Sequence, residues 1–211
     1  CKLNPGGNSN ITFGHGLGTA PRLVIVKDLE DVTNWQVLHL DQGVGNKLFL
    51  NSTAAAASDA NMWQNTAPTS TVVSMGTAQT TNEQFIAYCF AEVEGYSKFS
   101  SYIGNGNVDG PYGYTGFKPA FIIFKNISAS SQDWEMFDNK RDGLNDANRR
   151  LYPNTNDAEP AASDRVRLTS NGFKIVTSGG THVNGSGNTI IYMAFAEHPF
   201  GGDGVAPATA R

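Results

Sequence analysis

The chain has 211 residues, of which 23 are Gly, 39% are apolar and only 16% are charged, well below the roughly 25% charge of an average soluble domain. Its net charge is −4 with no basic run, which argues against electrostatic capture of nucleic acid, since that needs clustered Lys and Arg. No stretch approaches the ~18 consecutive apolar residues of a membrane-spanning helix, so no membrane insertion is expected.

Short strands separated by turn signals fill the chain. Leu23 to Lys27, preceded by Pro21, is a β-branched run that reads as a buried strand. Trp35 to Leu40 alternates, with Trp35, Val37 and His39 on one face and Gln36, Leu38 and Leu40 on the other. The alanines Ala54 to Ala57 suggest a single helical turn. Thr71 to Met75 is a further strand, followed by the apolar run Phe85 to Glu92. That run holds Cys89, which reads as a small buried hydrophobe. With Cys1 the only other cysteine, there is no disulfide framework. Tyr96 to Ile103 opens a second series, followed by a Gly- and Asn-rich connection, Gly104 to Gly113. Phe121 to Lys125, Trp134 to Phe137, Phe173 to Thr177 and Ile190 to Glu197 are its strands. Asn171-Gly172 is a hairpin dipeptide, and Asn184 to Asn188 a second turn.

The two series match in order. GLGTAPRLVIVK (Gly16 to Lys27) aligns with YTGFKPAFIIFK (Tyr114 to Lys125), and Asn34-Trp35 with Asp133-Trp134. LFLNSTAAAASD (Leu48 to Asp59) aligns with LYPNTNDAEPAASD (Leu151 to Asp164), and FIAYCFAE (Phe85 to Glu92) with IIYMAFAE (Ile190 to Glu197). The offset grows from 98 at Pro21 and Pro119 to 105 at Glu92 and Glu197, the trend that small loop insertions produce. The expected fold is therefore all-β: two tandem antiparallel β-sandwich (jelly-roll-like) modules related by internal duplication, residues 1–95 and 96–211. No Pro- or Ser-rich linker separates them. The first copy is shorter at its start, and a chain that begins at Cys reads as a piece of a longer or processed polypeptide.

These blocks, with NTAPTSTVVSMG, FIAYCFAEVEGYSKFSSYIGNGNVDGP and the closing AFAEHPFGGDGVAPATAR, resemble a repeat module of uncharacterised tailed-phage proteins. Such modules are found towards the C-terminal ends of long virion proteins, often of marine phage tail fibres. The resemblance covers essentially the whole chain and implies an external virion component. It carries no catalytic motif, and it implies a homo-oligomer such as a trimer. The closing segment resembles a natural C-terminus.

The residues themselves offer few sites. His15, His39, His182 and His198 lie in no nucleophile context, and there is no GxSxG; they read as turn or surface histidines. Glu92 and Glu197 match across the copies and are the tempting pair for glycoside hydrolysis, but they lie in different modules, end apolar strands and read as partners of a nearby Lys or as turn caps. Lys140, Arg141, Arg149 and Arg150, broken by Asp138, Asp142 and Asp146, read as a solvated loop. Asn105, Asn107 and Asp109 before Gly110 copy the first half of a calcium loop. The Glu that would complete the pattern is absent, Gly116 standing there. For sugar binding, which joins an exposed aromatic face to fixed polar groups, the candidates are Trp63, Asp109, Tyr112 and Tyr114. Trp35 and Trp134 read as core.

The expectation is a non-enzymatic virion surface protein with no catalytic residues and no cofactor beyond that calcium candidate. Its partners would be other virion proteins, copies of itself and host-surface polysaccharide. The competing readings are a capsid or filament decoration protein without a receptor role, and a glycan-degrading enzyme.

Overall fold

A computed structural model describes residues 2–3, 10–77, 84–142, 146–160, 165–178 and 180–199. Cys1 and the closing segment from Phe200 lie outside these residues. The chain divides into two compact units, residues 1–91 and 92–211. Among the described residues, the regular elements of both are antiparallel strands apart from a 3₁₀ turn and one short helix.

The first unit contains β1 (Lys2–Leu3), β2 (Ile11–Gly14), β3 (Leu23–Asp28), β4 (Gln36–His39), β5 (Asn46–Phe49), β6 (Ala57–Ser58), β7 (Val72–Met75) and β8 (Phe85–Phe90). β3 is the centre of a six-stranded sheet in the order β1-β8-β3-β4-β5-β6, and β2 and β7 form a second, two-stranded sheet. Alternate residues of β3, Val24 and Val26, point into one apolar cluster with Leu38 of β4 and Ala87 of β8. Phe13 of β2 and Val73 and Met75 of β7 close that cluster from the other sheet. The segment between β6 and β7 drops Met62 and Trp63 into the same core.

The second unit contains β9 (Ser97–Ile103), β10 (Tyr112–Tyr114), β11 (Pro119–Asn126), β12 (Trp134–Asp138), β13 (Asp146–Ala147), β14 (Val166–Thr169), β15 (Gly172–Ile175), α1 (Thr181–Asn184) and β16 (Thr189–Ala196). One four-stranded sheet runs β12-β11-β16-β9 and the other β10-β15-β14-β13. Phe173 of the second sheet meets Phe124 and Tyr192 of the first edge-to-face, with ring centroids 5.1 and 4.9 Å apart. Such T-shaped contacts add to plain burial. Gly113 on β10 pairs with Phe173, and a Cβ at Gly113 would overlap the Phe173 ring. Glycine is therefore required there. It lets the phenyl ring fill the inward side of a strand whose two tyrosines point outward.

The two units use the same local devices at matched positions. The Trp35 backbone N–H donates to Asn51 Oδ1 at 2.9 Å, and the Asn51 amide donates to Asn34. The Trp134 N–H donates to Asn154 Oδ1, also at 2.9 Å, and the Asn154 amide donates to Asp133. At the end of β3, Asp28 accepts the N–H groups of Glu30 and Asp31. At the end of β11, Asn126 accepts those of Ser128 and Ala129.

Three expectations change. Ala54 to Ala57 form no helical turn: residues 52–56 carry no regular structure and Ala57 pairs with Lys47 in β6. Four alanines are too few to nucleate a helix without an apolar face to bury. The helical turns among the described residues are instead a 3₁₀ turn at Leu40–Gln42, whose start is capped by the His39 ring, and α1. His39 is thus a buried strand residue rather than a surface one. Trp35 is only half-buried, stacked 6.5 Å from the exposed Tyr88 ring, whereas Trp134 is buried.

Candidate functional site

The outer face of the β10–β15–β14 sheet brings together most of the residues singled out for sugar binding. Tyr112 and Tyr114 are two apart on β10, so both rings project to the same side, and they are 44% and 49% exposed. Lys174 stands opposite Tyr112, and Arg167 stands opposite Lys174. Both therefore share that face. The Tyr112 hydroxyl lies 2.9 Å from the Thr169 hydroxyl and also donates to Asn171 Oδ1, which fixes the ring across the hairpin.

Asp109 joins this group through Lys174, whose ammonium donates to Asp109 Oδ1 at 2.6 Å and to the Gly110 carbonyl at 2.5 Å. The hydrogen bond and charge of Lys174 hold the exposed Asp109 carboxyl below its usual range. The calcium-like loop is satisfied from within the protein. Asn105 Oδ1 accepts the Asn107 N–H, Asn107 Oδ1 accepts the Asp109 N–H, and the Asn105 amide donates to the Asp109 carbonyl. The oxygens that would surround calcium are engaged by N–H donors, and Lys174 supplies the positive charge. Among the described residues, no group of three or more His, Cys, Asp or Glu is arranged to hold a metal ion.

Trp63 does not belong to this face. It is fully buried in the first unit's core. Gln64 and Asn65 beside it adopt positive φ, and the Gln64 amide donates to the carbonyls of Ile11 and Met75. That turn directs the indole inward. No sugar can stack on it.

Beside Tyr114 a cleft of about 450 Å³ opens, lined also by Glu92, Glu94, Ser97, Lys98, Thr115 and Gly116. Lys98 donates to Glu92 at 2.6 Å. Glu94 is exposed and has no ion-pair partner among the described residues. The Thr115 hydroxyl is turned away to the Phe117 carbonyl, and Ser97 Oγ accepts the Val93 N–H. The groups left to meet a ligand are the tyrosine ring, the Glu94 carboxylate and the Glu92–Lys98 pair. Glu197, the match of Glu92 in the second copy, pairs with Lys118 and Lys140 at 3.0 and 3.4 Å. Those partners outweigh burial and lower its pKa.

A second cluster was not visible in the sequence. Glu135 on β12 is fully buried, with Arg150 Nε at 3.2 Å and Arg165 Nη1 at 3.3 Å from the same carboxylate oxygen. Burial pushes its pKa up, against the opposing pull of Arg165 and Arg150. Arg150 is therefore no solvated loop residue. The carboxylate draws it inward, while Arg141 and Arg149 are held by Asp138, Asp142 and Glu159. His182 on α1 accepts the Asp133 N–H on Nδ1 at 2.8 Å, so its remaining proton sits on Nε2 when the ring is neutral. Burial lowers its pKa, with Asp133 opposing. Lys125 is buried over the Trp134 ring and its pKa falls to about 8, desolvation outweighing Asp133. The signal for this cluster was a lone Glu within the apolar run Trp134 to Phe137, yet its partners lie 15 and 30 residues downstream. With Glu135 and Lys125 fully buried, the cluster acts as internal cross-bracing; the open face at Tyr112 and Tyr114 is where a ligand can reach.

No curated protein and no solved structure matches this chain. A family model described as a domain of unknown function, DUF7483, matches residues 3–199 and so spans both units. The chain belongs to the DUF7483 family.

Proposed function

We propose that this protein is a non-enzymatic component of a tailed-phage virion, part of a tail fibre or appendage on the particle's external surface. It would assemble with other virion proteins and with copies of itself, and attach to host-surface polysaccharide. The virion assignment rests on the sequence resemblance. The attachment role rests on one observation: two exposed tyrosine rings on one strand, flanked by Lys174, Asp109 and Arg167. Successive same-face residues on a strand lie roughly 7 Å apart, so Tyr112 and Tyr114 form a short aromatic ledge. A sugar ring's apolar face stacks on such a ledge, while charged neighbours bond its hydroxyls.

We also propose that the two units are jelly-roll-like modules descended from one duplicated ancestor. The matched sheet orders β1-β8-β3-β4 and β9-β16-β11-β12 support this. So do the paired Asn51 and Asn154 hydrogen bonds, which require the same side chain at the same turn.

The test is a panel of bacterial surface polysaccharides probed with the wild-type chain and with Tyr112→Ala/Tyr114→Ala, alongside antibody labelling of intact particles. The proposal expects labelling at a tail appendage and binding that the double variant loses by at least tenfold. Labelling spread over the capsid, with no polysaccharide bound, would favour a decoration protein instead.

A further inference from the structure

We infer that the cleft beside Tyr114 recognises an amine-bearing sugar unit, rather than a uronate or other acidic sugar. The inference rests on the polysaccharide-binding reading and narrows it. At about 450 Å³ the cleft lies within the usual range for small-ligand pockets, roughly 300–1,000 Å³. Its wall is the half-exposed Tyr114 ring, continuous along β10 with the Tyr112 ring of the outer face.

The charge inventory sets the sign of the ligand. The cleft is lined by three charged side chains, Glu92, Glu94 and Lys98. Lys98 and Glu92 neutralise each other across 2.6 Å. Among the described residues Glu94 is left uncompensated, so the cleft's lining carries one net negative charge and offers an acceptor. An ammonium group entering beside Tyr114 gains a charge-assisted hydrogen bond to Glu94 and a cation–π contact with the ring. A uronate entering the same space meets like charge, and its desolvation is not repaid. Thr115 and Ser97 do not alter this balance, since both hydroxyls are engaged by backbone groups. Gly116, at φ +84°, turns the chain at the cleft's edge without placing a side chain in it.

Calorimetry with the full chain tests the assignment, using three probes of equal length: a glucosamine trimer with free amines, its N-acetylated counterpart and a galacturonic acid trimer. The expected result is tightest binding of the free-amine trimer, by about fivefold over the acetylated one, the scale of a partly exposed ion pair. Glu94→Gln should erase that preference, and Tyr114→Ala should weaken both. Both side chains are exposed, so circular dichroism should show each variant folded. Equal affinity for amine and acetylated trimers, tighter binding of the uronate, or a preference that survives Glu94→Gln each overturns the amine assignment. Failure of all three trimers also overturns it. The attachment reading is judged separately, by whether the polysaccharide panel detects any Tyr112- and Tyr114-dependent binding.

Discussion

Gln36 faces Val26 across the β3–β4 ladder, and Glu135 faces Phe124 across the β11–β12 ladder: the same position in each unit holds a fully buried side chain of the same shape, neutral in one and acidic in the other. The surroundings differ accordingly. Glu135 has Arg150 and Arg165 beside it. In the first unit, Lys47, at the position matched to Arg150, pairs with Asp59 instead. The first unit thus buries an amide where the second buries a carboxylate beside two arginines, which makes the second unit's charge a testable feature.

Glutamine at 135 should stabilise the protein at neutral pH. The folded-state pKa of Glu135 is raised, chiefly by burial. Its contribution to stability is therefore fully present below the unfolded value, about 4.3, and is lost as pH rises through the raised folded value. Glu135→Gln mimics the protonated acid at every pH. Denaturant unfolding should show the variant equal to wild type near pH 4 and more stable at pH 7; a variant clearly less stable at pH 7 refutes the argument.

Removing an arginine should do the reverse. Arg150→Met leaves the Glu135 carboxylate with Arg165 alone in an apolar surround, and breaking one side of a buried pair costs about 3–5 kcal/mol. The loss should shrink toward pH 4, where Glu135 becomes protonated. Unfolding curves for this variant at the two pH values, set beside those of Glu135→Gln, separate charge from packing.

Gly113→Ala should cost about 1–3 kcal/mol, the usual penalty for overfilling a packed site, because the new Cβ overlaps the Phe173 ring. Near-ultraviolet circular dichroism should register the displaced aromatic cluster. The same variant should weaken polysaccharide binding, since Tyr112 and Tyr114 hang on that strand.

Trp63→Ala should cost about 3–5 kcal/mol as a core truncation. On the proposed attachment role, the variant measured at a temperature where it remains folded should match wild type on the polysaccharide panel. Thermal melts and the polysaccharide panel read the two effects separately.

The strand pattern was legible because short β-branched and aromatic runs punctuated by Pro, Gly and Asn admit few other structures. Tyr112 and Tyr114 were legible as aromatics in a Gly-rich connection, but not as a strand: three residues around a glycine carry too little pattern to show that both rings share one side. Trp63 misled because Asn61, Gln64 and Asn65 make its neighbourhood look solvent-facing. Only the positive φ of Gln64 and Asn65, which sequence does not display, turns the indole inward. The Glu135 cluster escaped notice because its arginines arrive from a long connection, and chain distance conceals such pairing. Ala54 to Ala57 misled through propensity alone, which tertiary context overrides.

Lys174 gives the loop at Asn105 to Gly110 a cation carried on its own chain. A calcium-held loop loosens when the ion is diluted or chelated, so its geometry depends on the surrounding medium. Here the charge cannot diffuse away. What perturbs this edge is then salt rather than a chelator, because added ions screen a pair as exposed as Lys174 and Asp109.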